Sequence, residues 1–227
     1  MGYVTKVRLG VLCTMAAAAL APLRSTGAAA QPAPVRCDEW DVEYGVTARL
    51  ELAETPLGQG DGMYPIGPGR MVLRFEDQAG RPGGRVKMVA YDMPQTFTVE
   101  SRTLFWKTTV MTNATTTGIL NPCAEPEGML AGTTIAWNTP VRSMRTEGTL
   151  TCDGAFCGKF GAPPPGQSPL RIGPDPVLFQ PFHFSADMKT FTMGKTFVAR
   201  TPMPKQTSYL LLAGRETNRS PRSKTCP

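Results

Sequence analysis

Hydrophobic and polar positions alternate with a period of two along most of the chain, which predicts β-strands. The clearest case is "DVEYGVTARLEL" at 41–52, where apolar side chains point one way and mostly charged ones the other. Alternation of this length indicates a strand with one face on a core and the other in water. Gly45 interrupts the polar face, so we expect a bend or bulge there.

Similar segments recur every ten to fifteen residues, with polar or Gly- and Pro-rich turns between them. They predict further strands at 70–76, 85–93, 95–101, 103–112, 133–138, 148–152, 177–185, 190–199 and 207–213. We expect hairpin turns at 77–84 and 186–189, and an ordered loop at 60–69, where glycines and prolines exclude regular structure. This spacing predicts an all-β fold: an antiparallel β-sandwich or β-barrel of about nine or ten strands in a single domain.

Residues 1–30 are predicted to be an export signal and not part of the fold. A positive start precedes the apolar run at 9–23, and Ala28 and Ala30 give the small-x-small pattern of a signal peptidase site. The run is about fifteen residues long, which is short for a membrane span of about twenty. We therefore expect a secreted or periplasmic protein of residues 31–227, with no membrane span after cleavage.

Charge adds little to this prediction. The signal carries three basic residues and no acidic one, so its loss takes the formal net charge from +6 to +3. The remaining cations are scattered, except in residues 214–227, which we expect to be a flexible basic tail. Because a nucleic-acid site needs a basic stripe interleaved with stacking groups, nucleic acid is not an expected partner.

Cys152 and Cys157 are predicted to form a structural disulfide. They flank Asp153-Gly154, a strong turn signal, so we expect them to face each other across a short hairpin within bridging distance. A thioredoxin-type redox motif has two residues between its cysteines, and a zinc site needs further ligands that the sequence does not group here. The pair is therefore expected to be a structural staple.

Three more cysteines remain after the predicted cleavage, and an oxidising compartment favours their pairing. Cys37 with Cys226 would join the two ends of the chain, and Cys37 with Cys123 is equally allowed. One cysteine of the five is left over, so a disulfide-linked dimer is an open alternative.

His183 is the single histidine of the chain and the weak candidate for a catalytic residue. It lies between Phe182 and Phe184 and should face the opposite side from both. Ser185 or Asp187 could assist it as neighbours of a general base. No nucleophile elbow and no oxyanion-hole signal accompany it, so an ordinary strand position is the expected role.

Asp41, Glu43 and Asp61 are weak candidates for metal ligands. Asp41 and Glu43 share a strand face, and oxygen ligands from the loop around Asp61 could complete a Ca²⁺ site. The alternative is a solvated strand edge whose charges discourage aggregation. The sequence contains no twelve-residue calcium loop and no dinucleotide or phosphate loop, so we expect no cofactor.

Three functional hypotheses follow. The first is an exported, non-enzymatic all-β protein that binds a partner or serves at a surface. The second is a carrier whose barrel cavity holds a small apolar ligand, since twelve methionines and ten phenylalanines could line it. The third is a hydrolase that uses His183. The expected partner is an unknown protein or a small apolar ligand.

Overall fold

The computed structural model describes residues 38–53, 62–102, 105–118, 127–174, 176–200 and 207–223, and in these ranges the protein is all-β. The strands are β1 (Asp38–Ala53), β2 (Gly62–Asp77), β3 (Pro82–Arg102), β4 (Lys107–Gly118), β5 (Glu127–Ala131), β6 (Thr134–Trp137), β7 (Arg145–Gly154), β8 (Gly166–Ile172), β9 (Phe182–Phe184), β10 (Thr190–Arg200) and β11 (Thr207–Ser223). The predicted fold class is confirmed, with eleven strands in place of nine or ten. Within the described ranges, no helix is long and apolar enough to cross a membrane.

Eight of the strands close into an antiparallel barrel, so the barrel alternative of the prediction is the correct one. Their order around the barrel is β1-β2-β3-β5-β6-β9-β10-β11, and β11 pairs with β1 to complete the circle. The pairing runs from Asp38 opposite Ser223 to Ala53 opposite Thr207. A barrel of eight strands encloses an interior about wide enough for side chains to fill.

Large side chains fill the barrel interior, as the alternation in the sequence predicts. Fully buried members include Tyr44, Phe75, Phe182, Phe191, Met71, Leu73, Met88 and Ile135. The rings of Phe182 and Phe191 stack with their centroids 4.8 Å apart, and Tyr44 meets Phe191 edge-on at 5.2 Å. Aromatic pairs of these geometries add to the stabilisation that comes from burial alone.

The remaining three strands continue the sheet beyond the barrel. The first half of β3 pairs with β2 and β5, while its second half pairs with β4 along residues 91–102. Strand β7 adds to β4, and β8 adds to β7 as the outer strand. We call the second half of β3 with β4, β7 and β8 the extension. Pro169 lies within β8 and supplies no N–H donor, which makes this edge a poorer template for aggregation.

The predicted loop at 60–69 is wrong, because β2 already begins at Gly62. Its residues pair with β1, with Val46 opposite Gly69 and Ala48 opposite Ile66. The register shift between these pairs places Gly67 and Pro68 in a bulge. The glycines and prolines thus bend a strand and do not end it.

The predicted flexible tail from residue 214 is also different in the structure, because β11 extends to Ser223. Barrel closure explains the difference, since every residue of β1 finds its partner in β11. The charges that suggested a tail are partly paired: Arg219 Nη2 lies 2.6 Å from Glu216 Oε2. Residues 224–227 lie outside the described part of the chain.

The remaining differences from the predicted elements concern short strands, a bulge and the boundary between two predicted strands. The sequence pattern did not predict β5 and β8, and the segment 177–185 forms only the three-residue strand β9. The bulge expected at Gly45 lies on the partner strand instead: Glu43 and Tyr44 face Asn218 and Glu216, which leaves Thr217 of β11 as the extra residue. Residues 85–93 and 95–101 belong to one strand, with the exposed Pro94 between them. Both predicted hairpin turns, at 77–84 and 186–189, are present.

Gly214 tests how tightly the barrel core is filled. It faces Phe191 across the β10–β11 pair, and a Cβ atom on Gly214 would fall within the Phe191 ring. We expect Gly214→Ala to lower the free energy of unfolding by about 1–3 kcal/mol, because the buried ring cannot move aside without strain. Urea denaturation followed by circular dichroism measures this change.

Gly194→Ala is the matched control on β10. A Cβ there would meet nothing nearer than Gln180 Cβ at 4.0 Å. Its stability should stay within about 0.5 kcal/mol of the wild type. Equal destabilisation by the two substitutions would contradict the packing described here.

Candidate functional site

The structure places His183 on the outer face of β9, where it is exposed while Phe182 and Phe184 are buried. Its Nδ1 atom lies 3.3 Å from Thr134 Oγ1 on β6. Ser185 donates a hydrogen bond to Asp187 at 2.6 Å, and the two residues shape the turn that follows β9.

This turn accounts for the neighbours that the sequence suggested for His183. Hydrogen bonds from the Ser185 hydroxyl and the Lys189 amide lower the pKa of Asp187. The Ser185 hydroxyl also accepts a hydrogen bond from the Thr190 amide at 3.0 Å. Ser185 and Asp187 therefore hold the β9–β10 turn together through hydrogen bonds to each other and to its backbone.

Asp41 and Glu43 lie against arginines of the neighbouring strand β2. Arg74 donates two hydrogen bonds to Asp41, at 2.7 and 3.1 Å, and Arg70 Nη2 lies 2.8 Å from Glu43 Oε2. The hydrogen bond with Asp41 is the main cause that raises the pKa of Arg74. Asp61 lies outside the described residues. Guanidinium groups thus contact the carboxylates that the sequence proposed as calcium ligands.

The geometry favours an ion-pair network on this strand face. The Arg74 side chain is only 7% exposed, and Glu39 Oε2 lies 3.8 Å from its Nε atom. Among the residues described, no cluster of three His, Cys, Asp or Glu side chains could hold a metal ion. The calcium hypothesis for Asp41, Glu43 and Asp61 stays a prediction.

The Cys152–Cys157 disulfide is present, with the sulfur atoms 2.06 Å apart. The predicted hairpin around it is wrong, because the residue of β8 that faces Cys152 is Gly166. Cys157 instead lies in the long connection between β7 and β8. The bond therefore ties this connection back to strand β7. Cys37, Cys123 and Cys226 lie outside the described part of the chain, and their pairing stays a prediction.

Backbone hydrogen bonds make the β7–β8 connection at 155–165 compact. Gly158 donates to the carbonyl of Pro163 at 2.7 Å, and Lys159 donates to Phe156 at 2.9 Å. The Phe156 amide donates to Thr108 Oγ1 at 3.0 Å. These bonds and the disulfide fix the connection against the first residues of β4.

Three exposed aromatic side chains gather at this end of the extension. Phe105 and Trp106 lie in the turn between β3 and β4, with 85% and 60% of their surface exposed. Phe160 lies in the β7–β8 connection and is 62% exposed. Thr108, near the start of β4, pairs with Gly154, at the end of β7. The β3–β4 turn and the β7–β8 connection therefore lie at the same end of the sheet. We call Phe105, Trp106 and Phe160 the aromatic tip.

Phe160 has an unusual backbone conformation for its size. Its φ is 52°, in the left-handed region that a bulky side chain rarely adopts. This conformation costs about 1–2 kcal/mol for a residue with a Cβ atom. Strain of this kind persists where the surrounding structure enforces it, often at functional sites. Here the exposed Phe160 ring also packs edge-on against Phe156, with the ring centroids 6.0 Å apart.

Charged side chains surround the aromatic tip. Arg102 and Lys107 each contact the carboxylate of Glu100, at 2.9 and 2.7 Å. A hydrogen bond from Lys107 is the main cause that lowers the pKa of Glu100, and a hydrogen bond from Arg102 is the second. Lys159 is exposed beside Phe160, and Asp153 is the other exposed acid at this end. Three cations therefore accompany two carboxylates.

The sequence reading missed the aromatic tip. It assigned Phe105 and Trp106 to a strand at 103–112 because aromatic residues favour strands. The available signal was that the two are adjacent, since neighbouring residues in a strand cannot both face the core. Phe160, between glycines and before a proline run, gave a second signal for an exposed ring.

The carrier hypothesis concerns the barrel interior. The stacked Phe182 and Phe191 occupy its centre, and Trp137 packs against Phe182 with centroids 5.1 Å apart. The Trp137 Nε1 atom is buried without a hydrogen-bond acceptor among the described residues. A ligand in the barrel stays a prediction.

The fold and this surface together define a closed β-barrel with a sheet extension that carries an exposed aromatic tip. No protein-family model, no curated protein and no solved structure matches the chain. The functional conclusion therefore rests on the geometry of its own residues.

Arg74→Leu tests the ion-pair network on β1 and β2. The substitution removes the guanidinium group that the largely buried Asp41 and Glu39 contact, so we expect the free energy of unfolding to fall by about 3 kcal/mol. Arg85→Leu is the control, since Arg85 pairs with Glu76 at the exposed surface. Removing this surface ion pair should lower the free energy of unfolding by less than about 1 kcal/mol. Denaturant titration measures both decreases in unfolding free energy. Equal decreases for the two variants would contradict the ion-pair network.

The double variant Cys152→Ala/Cys157→Ala tests the disulfide as a local staple. Closing so short a loop stabilises the fold by about 2 kcal/mol, and we expect that loss in denaturant titration. Hydrogen exchange should rise most in residues 155–165, and barrel amides should rise by no more than the loss of global stability requires. A larger rise in the barrel strands than in residues 155–165 would contradict a local staple.

Proposed function

We propose that this protein is an exported binding protein without catalytic activity, in which the barrel is a scaffold and the aromatic tip is the binding surface. The observation that carries this proposal is the grouping of Phe105, Trp106 and Phe160, from two separate turns, at one exposed end of the extension. Single exposed apolar residues are common on proteins, but a local group of large ones is typical of an interaction site.

The chemistry of these side chains supports binding. Aromatic residues bury a large apolar area with few rotatable bonds, so they lose little conformational entropy on contact. Tryptophan is among the residues enriched in the energetic centres of interfaces. More than half of the surface of each of the three rings is exposed, so a large apolar area remains available for contact with a partner.

The fixed conformation of the β7–β8 connection supports the same proposal. The disulfide and the backbone hydrogen bonds hold Phe160 in a conformation that glycine would adopt with less strain. A side chain that is fixed before binding avoids part of the entropic cost of association. The edge-on contact with Phe156 supports the Phe160 ring from one side while most of its surface stays exposed.

The other candidate groups supply less support for catalysis. Ser185 and Asp187 hydrogen-bond within a turn, and Asp41 and Glu43 bind arginines. A general base needs a proton donor within hydrogen-bond reach in a substrate-accessible cleft. His183 lies on the outer face of a barrel strand. This arrangement favours the binding hypothesis over the hydrolase hypothesis.

Binding of the labelled protein to the envelope fraction of the cells that make it tests the proposal. We expect saturable binding by the wild type, and at least about tenfold weaker binding by the variant Phe105→Ser/Trp106→Ser/Phe160→Gly, since each buried ring contributes about 1.5–3 kcal/mol. The measurement is a titration of bound fluorescence against envelope concentration.

Phe197→Ser is the matched control for an exposed ring outside the tip. Phe197 lies on β10 and is also exposed. Its variant should bind as the wild type does. Unchanged binding by the triple variant, or equal loss in the Phe197→Ser variant, would contradict a binding role for the tip.

A further inference from the structure

The residues of the aromatic tip have the composition of a membrane-interface anchor. Two phenylalanines and a tryptophan stand beside Arg102, Lys107 and Lys159. Trp and other aromatic rings are favoured at the bilayer interface, where they reach both apolar chains and polar headgroups. Lysine and arginine can lay their aliphatic stems along apolar groups while their charges stay at the headgroups.

The charges at the tip suit a phosphate-rich surface. Glu100, the acid nearest the β3–β4 turn, already contacts two cations, Arg102 and Lys107. Its negative charge is therefore compensated before any contact with a membrane. Lys159 beside Phe160 adds an exposed cation and Asp153 an exposed acid at the same end, so the three cations and two carboxylates sum to a net charge of +1. Lipid phosphates and anionic headgroups attract cations placed in this way.

The size of the tip favours a bilayer over a protein partner. A phenylalanine or tryptophan can bury at most about 150–250 Å². Three partly exposed rings therefore supply less than the roughly 800 Å² that each partner contributes to a standard protein interface. A bilayer needs no matching shape, so a few inserted rings and adjacent cations are sufficient for reversible docking.

The β3–β4 turn lies where the paired strands of the extension end. From Met93 to Arg102, β3 continues past its last pair with β2 and pairs with β4, while its Phe97 ring packs against Tyr64 of β2 with centroids 5.4 Å apart. The turn follows this strand, so it can contact a surface without unfolding any barrel strand.

We propose that the aromatic tip docks into the interface of a lipid bilayer, with Phe105, Trp106 and Phe160 among the headgroups and upper acyl chains and the neighbouring cations on lipid phosphates. This inference rests on the proposed function, because it names the partner of the same surface.

Vesicle binding by the full chain tests the inference. The probes are vesicles of phosphatidylcholine alone and vesicles that also contain phosphatidylglycerol, some with bromine on the acyl chains. We expect co-sedimentation with both, tighter with phosphatidylglycerol, and quenching of tryptophan emission by the brominated lipid. In Trp106→Phe, binding should persist and the lipid-dependent quenching should disappear, because Trp40 and Trp137 belong to the barrel.

Phe160→Gly separates binding from folding. The substitution relieves the strain of a left-handed backbone and loses the edge-on contact with Phe156, two effects of about 1 kcal/mol that offset each other, so stability should change little. The same substitution should weaken vesicle binding by about tenfold, as the loss of one buried ring predicts. A variant that folds at least as well and binds less well cannot have lost binding by unfolding. The Phe197→Ser variant should bind vesicles as the wild type does.

Three results would overturn the inference. The first is no binding to either kind of vesicle. The second is vesicle binding that the tip substitutions leave unchanged. The third is a dimer in sedimentation analysis that the tip variants abolish, since a second copy of the chain would then cover the rings. Tip-dependent binding to envelopes together with no vesicle binding would leave the proposed function standing and exclude lipid as the partner.

Discussion

The pairing of β1 with β11 is the constraint on which the rest of this structure depends. All sixteen residues of β1 find partners in β11, and this ladder closes eight strands into a barrel. Closure satisfies the backbone groups of both strands and removes two sheet edges. It also fixes which face of every strand points inward, because a shift of one residue would turn each apolar side chain outward.

The core that this closure creates is packed with aromatic side chains. Phe191 contacts both Tyr44 and Phe182 inside the barrel. The glycine at 214 leaves the space that the Phe191 ring occupies. Such a core stabilises the barrel as a scaffold, and the aromatic tip lies at the end of the extension.

The extension exists because β3 is longer than its barrel partners. Where β5 ends its contact with β3, β4 takes its place on the same side, and β7 and β8 then continue the sheet. The turns at the far end bring Phe105 and Phe160 together, although they are distant in the chain. The disulfide and the Phe156–Thr108 hydrogen bond hold these turns in place.

Alternation and turn residues were sufficient to predict the all-β class, the inward face of β1 and two hairpin turns. These properties are local: they depend on the period of two and on turn residues a few positions apart. The bond between Cys152 and Cys157 was predicted as well, but from a hairpin that the structure does not contain. The choice of a barrel and the extension of β11 through a charged segment depend on partners more than a hundred residues away, and the strand at 62–69 depends on a bulge within β2. The aromatic tip was decided by tertiary structure alone, because only the pairing of β4 with β7 shows that two separate turns meet, and only the backbone at Phe160 shows that its ring is held in solvent.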